Sequence, residues 1–162
     1  MAILCDNAFM RGISASGYTL INNTTDAPAA NYSSNLGVWL GDTTYYTNLV
    51  DEDINTSYHS SSQGQTGYIQ FQVSTGVAAV KCEMYFNTNI IVNQYTQFLF
   101  QGSNNGSSWT TLYTDNAPPT TAGEYTASWS NTTTYTYYRW TATWGYTSYY
   151  LNSISEMRWY AE

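Results

Sequence analysis

The segment Asn48-Leu-Val-Asp-Glu-Asp-Ile-Asn-Thr56 gathers the most suggestive chemistry in the chain. Asp51, Glu52 and Asp53 are consecutive, and such carboxylates repel one another unless water or a cation separates them. Calcium takes about six to eight oxygen ligands, with backbone carbonyls and hydroxyls among them. Asp51, Asp53 and Thr56 offer such oxygens within one tight turn. A solvated acidic loop or a helix N-cap would carry the same pattern, so spacing alone leaves these readings open. Catalytic groups are scarcer. His59 is the single histidine, and its ordinary pKa alone lies near neutrality. No Gly-x-Ser-x-Gly elbow, phosphate loop or Cys/His cluster at zinc spacing accompanies it. A loop histidine is therefore the better reading than a Ser-His-Asp triad. A glycosidase needs two carboxylates facing each other across a sugar, and most of the eleven acidic residues lie in short surface contexts. The expectation is a protein without enzymatic activity.

Composition narrows what it could bind. Ser, Thr, Asn and Gln make up 63 of 162 residues, while Lys and Arg total 4 and the net charge is −7. Disordered chains are poor in aromatics and rich in charge. Here aromatics reach 17% and charged residues only 9%, so the chain is expected to fold with a neutral-polar surface. Four basic residues cannot neutralise a row of phosphates, which argues against nucleic acid and anionic membrane surfaces. No stretch approaches the roughly 20 apolar residues of a membrane span. The N-terminal MAILCDNAFMRGIS lacks a basic start and a cleavage site, and is not read as a secretory signal. Cys5 and Cys82 form no disulfide framework. Cys82 shares a face with Val80, Met84 and Phe86, which favours a buried free thiol over a bridge.

The elements that must position these groups are strands. Ile69, Phe71 and Val73 alternate with Tyr68, Gln70 and Gln72, the pattern of a strand with one buried face. Further strands are expected at 79–86, 94–101, 109–113, 124–129, 135–144 and 154–160, rich in Thr, Tyr, Val and Ile. Gly102-Ser-Asn-Asn-Gly106 has hairpin turn chemistry. Residues 17–66 read as extended loops, with a short strand around 38–40. No helical apolar stripe and no repeat appears. The expectation is one all-β domain over 1–162, a sandwich or jelly roll with a long irregular N-terminal part to about residue 46.

Five segments in order resemble the discoidin family, the coagulation-factor C-type or galactose-binding-like domains. Asp51-Glu-Asp53-Ile-Asn-Thr56-Ser-Tyr58 is similar to an Asp-Gly-Asp/Asn-x-x-Thr-x-Trp motif. Tyr68-Ile-Gln-Phe-Gln-Val-Ser-Thr-Gly76 follows, then Gly102-Ser-Asn-Asn-Gly-Ser-Ser-Trp109, Tyr137-Tyr-Arg-Trp140 and Glu156-Met-Arg-Trp-Tyr160. The resemblance implies a jelly-roll β-sandwich of about eight strands, without catalysis, that binds glycans or lipid head groups through loops at one end. It also implies a structural Ca2+ ion, held by side chains of Asp51, Thr56 and Glu156 and by carbonyls of Asn48, Asp53 and Ser155. Two departures stand out. Glu52 replaces a family glycine, a strained choice if that position needs positive φ. The cysteine pair that joins the termini in many members is missing.

Family glycan sites use an aromatic platform before the last strand, here Trp144-Gly-Tyr-Thr-Ser-Tyr-Tyr150. The expected platform is Trp144, Tyr146 and Tyr149, with Trp39, Tyr45, Tyr46 and His59 on loops facing the same end. Asn87 and Asn89 would be polar partners. Sugar C–H faces stack on such rings, while amides supply directional hydrogen bonds. The alternative for Trp144 is a core position, continuing Tyr138, Trp140 and Ala142. The leading expectation is a lectin-like carbohydrate-binding module. A Met1 start without a signal and a chain poor in Lys are similar to bacteriophage virion proteins, so attachment to host cell-surface glycans from the virion surface is expected. Two rival readings are a virion decoration or tail-fibre assembly protein, using the sandwich for homo-oligomer or subunit contacts, and a binding module of a secreted glycan-degrading enzyme.

Overall fold

The computed structural model describes residues 17–22, 31–37, 43–87, 94–145 and 149–162. Ten strands run through them: β1 (Thr19–Leu20), β2 (Tyr32–Ser34), β3 (Tyr58–Gly64), β4 (Thr66–Val77), β5 (Ala79–Phe86), β6 (Tyr95–Ser103), β7 (Thr110–Asp115), β8 (Gly123–Ser128), β9 (Tyr135–Trp144) and β10 (Tyr149–Ala161). A 3-10 helix, Thr43–Leu49, precedes the acidic loop. The strands form two antiparallel five-stranded sheets. One has the order β1-β10-β5-β8, with β3 also pairing with β10; the other has the order β2-β4-β9-β6-β7. The all-β sandwich expected from the sequence is what forms.

Alternation explains the core. Ile69, Phe71 and Val73 from β4 and Tyr138, Trp140 and Ala142 from β9 point inward, and so do Phe98 and Phe100 from β6. They meet Cys82, Met84 and Phe86 of β5 and Met157 and Trp159 of β10. Rings supply most of the filling: Phe98 meets Trp140 edge-on at 5.0 Å, and Trp159 packs 5.4 Å from Tyr138 and 5.5 Å from Phe100. Such aromatic pairs contribute about 0.5–1.5 kcal/mol beyond their buried area. Cys82 is a buried free thiol, as its face suggested.

The stretch 17–66 is more regular than its turn-rich composition indicates. Asn22 explains part of this. It is fully buried; its Nδ2 donates to the Met157 carbonyl at 2.6 Å, and its Oδ1 accepts the Trp159 amide at 2.7 Å. The side chain thereby continues the β1–β10 ladder where the backbone departs from it. A polar residue that replaces backbone pairing leaves no hydrophobic alternation to read. Tyr32, Tyr46 and Tyr58 then stack in series at 5.6 and 5.5 Å, anchoring the 3-10 helix over the sheets. The expected strand at 38–40 lies outside the described residues.

Candidate functional site

The acidic loop folds on itself before it meets anything else. Asp51 Oδ1 accepts the Asp53 amide at 3.0 Å, and its Oδ2 accepts the Thr56 hydroxyl at 2.8 Å. Asp53 Oδ1 accepts both the backbone and side-chain N–H of Asn55, which holds its pKa below the ordinary value. The Thr56 hydroxyl also reaches the Asp53 carbonyl at 2.9 Å. Asn48 straps the loop from below, its Nδ2 donating to the Ser57 carbonyl. Glu52 sits at φ 65, a left-handed conformation that strains a residue with a Cβ by about 1–2 kcal/mol. The sequence-level concern about this position is thus met: the backbone demands positive φ, and glutamate adopts it.

Strand β10 closes against this loop. The Ser155 hydroxyl donates to the Ile54 carbonyl at 2.9 Å across 101 residues of sequence. Glu156 is fully buried, with Nε of Arg158 3.1 Å from its Oε2 and no hydrogen-bond partner on Oε1. Burial pushes its pKa up to about 7, Arg158 pulls it down, and the charge of nearby Asp51 pushes it up again. The structure therefore brings Asn48, Asp51, Asp53, Thr56, Ser155 and Glu156 to one junction. No group of three His, Cys, Asp or Glu side chains forms among the described residues. Any cation here would depend on hydroxyl and backbone carbonyl oxygens as much as on carboxylates. A buried, unpartnered carboxylate oxygen beside such hard donors fits a calcium ion. Arg158 was missed at the sequence level. Its signal was the i, i+2 spacing from Glu156, which puts both on one face of β10.

The expected sugar platform divides. Tyr45 and His59 lie together, half-buried, with ring centres 6.5 Å apart. His59 is in register with Asn152 of β10, and the amide of exposed Asn87 donates to the Ser153 carbonyl. His59 and Asn87 thus flank the same end of β10 from β3 and from the end of β5. Two expected members are corrected. Tyr46 is 4% exposed in the Tyr32–Tyr58 stack, and Trp144 is 1% exposed with its ring 5.4 Å from Tyr95. Both belong to the core, because the 3-10 helix turns Tyr46 inward and the β9 alternation carries through to Trp144. Neither ring is open to a ligand. Trp39, Asn89 and Tyr146 lie outside the described residues, as does the side chain of Tyr149, which begins β10.

No family model and no curated protein matches the sequence. Solved structures do match the fold. The module CBM32-3 from a family 31 glycoside hydrolase of Clostridium perfringens superposes with TM-score 0.62 at 20% identity, covering 86% of this chain and 97% of that one. CpGH89CBM32-5 of the same organism, in complex with GalNAc-β-1,3-galactose, gives TM-score 0.63 at 13% identity over 83% of this chain and 99% of that one. CBM62 from Clostridium thermocellum Xyl5A gives 0.62 at 18% identity over 81% and 93%. The chain has the discoidin-like, galactose-binding-like β-sandwich fold of these carbohydrate-binding modules.

Proposed function

We propose that this protein is a non-catalytic carbohydrate-binding module that engages glycans through the loop end carrying Tyr45, His59 and Asn87. One observation carries the reading: the sandwich is shared with carbohydrate-binding modules along nearly their whole length. One of those neighbours is solved with a galactose-containing disaccharide, which makes neutral galactosides the first ligands to try. Tyr45 supplies an apolar ring face, His59 ring nitrogens that donate or accept hydrogen bonds, and Asn87 an amide. That set suits a polyhydroxyl ligand.

Calcium is part of the proposal. Side chains of Asp51, Thr56 and Glu156, with carbonyls of Asn48, Asp53 and Ser155, would hold the ion. It would tie the acidic loop to β10 and so hold His59 in place. Display on a virion surface for attachment to host glycans is the biological setting we propose. It is supported by a composition rich in Thr, Asn and Tyr and nearly devoid of Lys. A glycan array run with the wild type, Tyr45→Ala and Asn87→Ala tests the ligand class. Losing the Tyr45 ring should weaken binding by about 0.5–1.5 kcal/mol, and wild-type silence on every glycan would remove the reading. Mass spectrometry of purified phage particles tests the setting; the chain's absence from them would reject it.

A further inference from the structure

The outer face of the β2-β4-β9-β6-β7 sheet carries an arrangement that the loop-end reading does not use. Arg139 projects there from β9, because its neighbours Tyr138 and Trp140 face the core. Its Cζ lies 4.2 Å from the Trp109 ring centre and 5.0 Å from that of Tyr68. In strand order these rings stand to either side, Tyr68 on β4 and Trp109 at the entry to β7. Nε donates to Oε1 of Gln101 at 2.9 Å. Gln101 is itself fixed, since Oε1 also accepts the Thr141 hydroxyl and Nε2 donates to the Thr111 hydroxyl. Rings and amide together set the plane of the guanidinium. Burial lowers its pKa, yet the group stays charged at any ordinary pH.

Two facts make this cation unusual. The chain has four basic residues against eleven acidic ones. Lys81 pairs with Glu83 and Arg158 with Glu156, but among the described residues no carboxylate pairs with Arg139. Its Nη groups make no hydrogen bond with described residues. Trp109 is also held in advance. Ser103 Oγ accepts the amides of Asn105 and Gly106, and Asn105 Oδ1 accepts those of Ser107 and Ser108. Gly106, at φ 68, completes the turn that delivers the ring. A preformed platform spends little ordering entropy on binding.

We propose that this face is a second saccharide site, selective for a sugar bearing one carboxylate. The free guanidinium edge would take the carboxylate in a paired, charge-assisted contact, while the exposed parts of Trp109 and Tyr68 meet the sugar's C–H faces. Charge selects this occupant over a polyanion. A single guanidinium can match an isolated carboxylate, while the chain's net charge of −7 disfavours a dense row of phosphates or sulfates. The site rests on the carbohydrate-binding reading for its ligand class but not on the loop-end residues.

The test is titration of the full chain with methyl galacturonide, which bears one carboxylate, with its methyl ester and with a neutral galactoside, following the Trp109 indole N–H by NMR. The galacturonide should shift that signal and bind about tenfold or more tightly than its ester, the worth of a charged hydrogen-bond pair. Arg139→Met should abolish that preference with melting temperature lowered by a few degrees at most, and Arg139→Lys should restore only part of it. Neutral galactoside binding should persist in both variants. Equal binding of acid and ester, or an Arg139→Met variant that keeps the preference, overturns the proposal. So does a change in oligomer size on Arg139→Met, which would mark the face as a contact between protein chains. Loss of neutral binding with the acid preference retained would instead count against the loop-end site alone.

Discussion

Arg158 and Arg139 occupy neighbouring positions in the logic of the fold and opposite positions in its chemistry. Each projects from a central strand, β10 or β9, away from the core between the sheets. Arg158 is 2% exposed and locked to a fully buried Glu156. Arg139 is half-buried, held by an amide and two rings, with no carboxylate partner among the described residues. The first arginine is consumed by the structure, whereas the second is presented by it. A buried carboxylate does not tolerate loss of its cation, while a stacked, partly solvated cation tolerates loss of its charge.

The sharpest way to break this contrast is to delete each guanidinium. Arg158→Met leaves the Glu156 carboxylate buried without its cation, which should cost about 3–5 kcal/mol in denaturant unfolding at neutral pH. The loss should shrink as pH falls and the carboxyl takes up a proton. Adding Glu156→Gln should recover much of it, because the two residues are in contact and their effects do not add. Equal losses for Arg158→Met and Arg139→Met would erase the distinction.

Calcium probes the same junction next. An ion bound only to the folded state stabilises it by about 2.7 kcal/mol at a hundred times its Kd. Melting temperature should rise with calcium, fall with a chelator, and ignore both in Glu156→Gln. A wild type indifferent to both, in protein shown to start metal-free, removes the ion from the proposal. The pH dependence has a definite sign. Glu156 has a folded pKa of about 7 against 4.5 ordinarily, so its protonated form favours the folded state. That contribution is complete below about pH 4.5 and is lost as pH rises through about 7. Metal-free wild type should therefore lose stability from pH 5 to 8 relative to Glu156→Gln, and calcium should reverse the trend.

Smaller effects separate strain from presentation. Glu52→Gly relieves a positive φ and should stabilise by up to about 1 kcal/mol. A clear destabilisation would mean that the Glu52 side chain contributes something its exposure does not reveal. Arg139→Met should change stability least, by under about 1 kcal/mol, as expected of a partly solvated cation. A larger loss in thermal melts would make Arg139 a structural residue like Arg158.

Strand positions were largely legible because alternation over Ala79–Phe86 and Tyr135–Trp144 gave each strand its bounds and its inward face. The Gly102–Gly106 turn was legible for a different reason: Ser103 and Asn105 bond the turn's own backbone, although Asn104 also ties it to Thr134 and Thr136 about thirty residues on. The acidic loop was legible as a place but not as a site, since Asp51 and Thr56 are local to each other while Glu156 is about a hundred residues away. The platform misled at Tyr46 and Trp144. A Tyr among turn formers carries no local mark that tells exposed from buried, whereas at Trp144 the alternation through Tyr138, Trp140 and Ala142 pointed inward and the family resemblance pointed outward.

What the sequence determined by itself is therefore whatever short-range physics and composition control: strand periodicity, turn chemistry, and a polar chain poor in cations. Tertiary structure decided which outer faces stay open. Glu156, Arg158 and Tyr160 alternate with the core residues Met157 and Trp159, yet they are 0%, 2% and 5% exposed. Arg139 alternates with Tyr138 and Trp140 in the same way and remains accessible. A strand's own periodicity fixes that it has two faces. Only chain arriving from elsewhere determines which face is covered, and with it whether an arginine becomes half of an ion pair or a surface for a ligand.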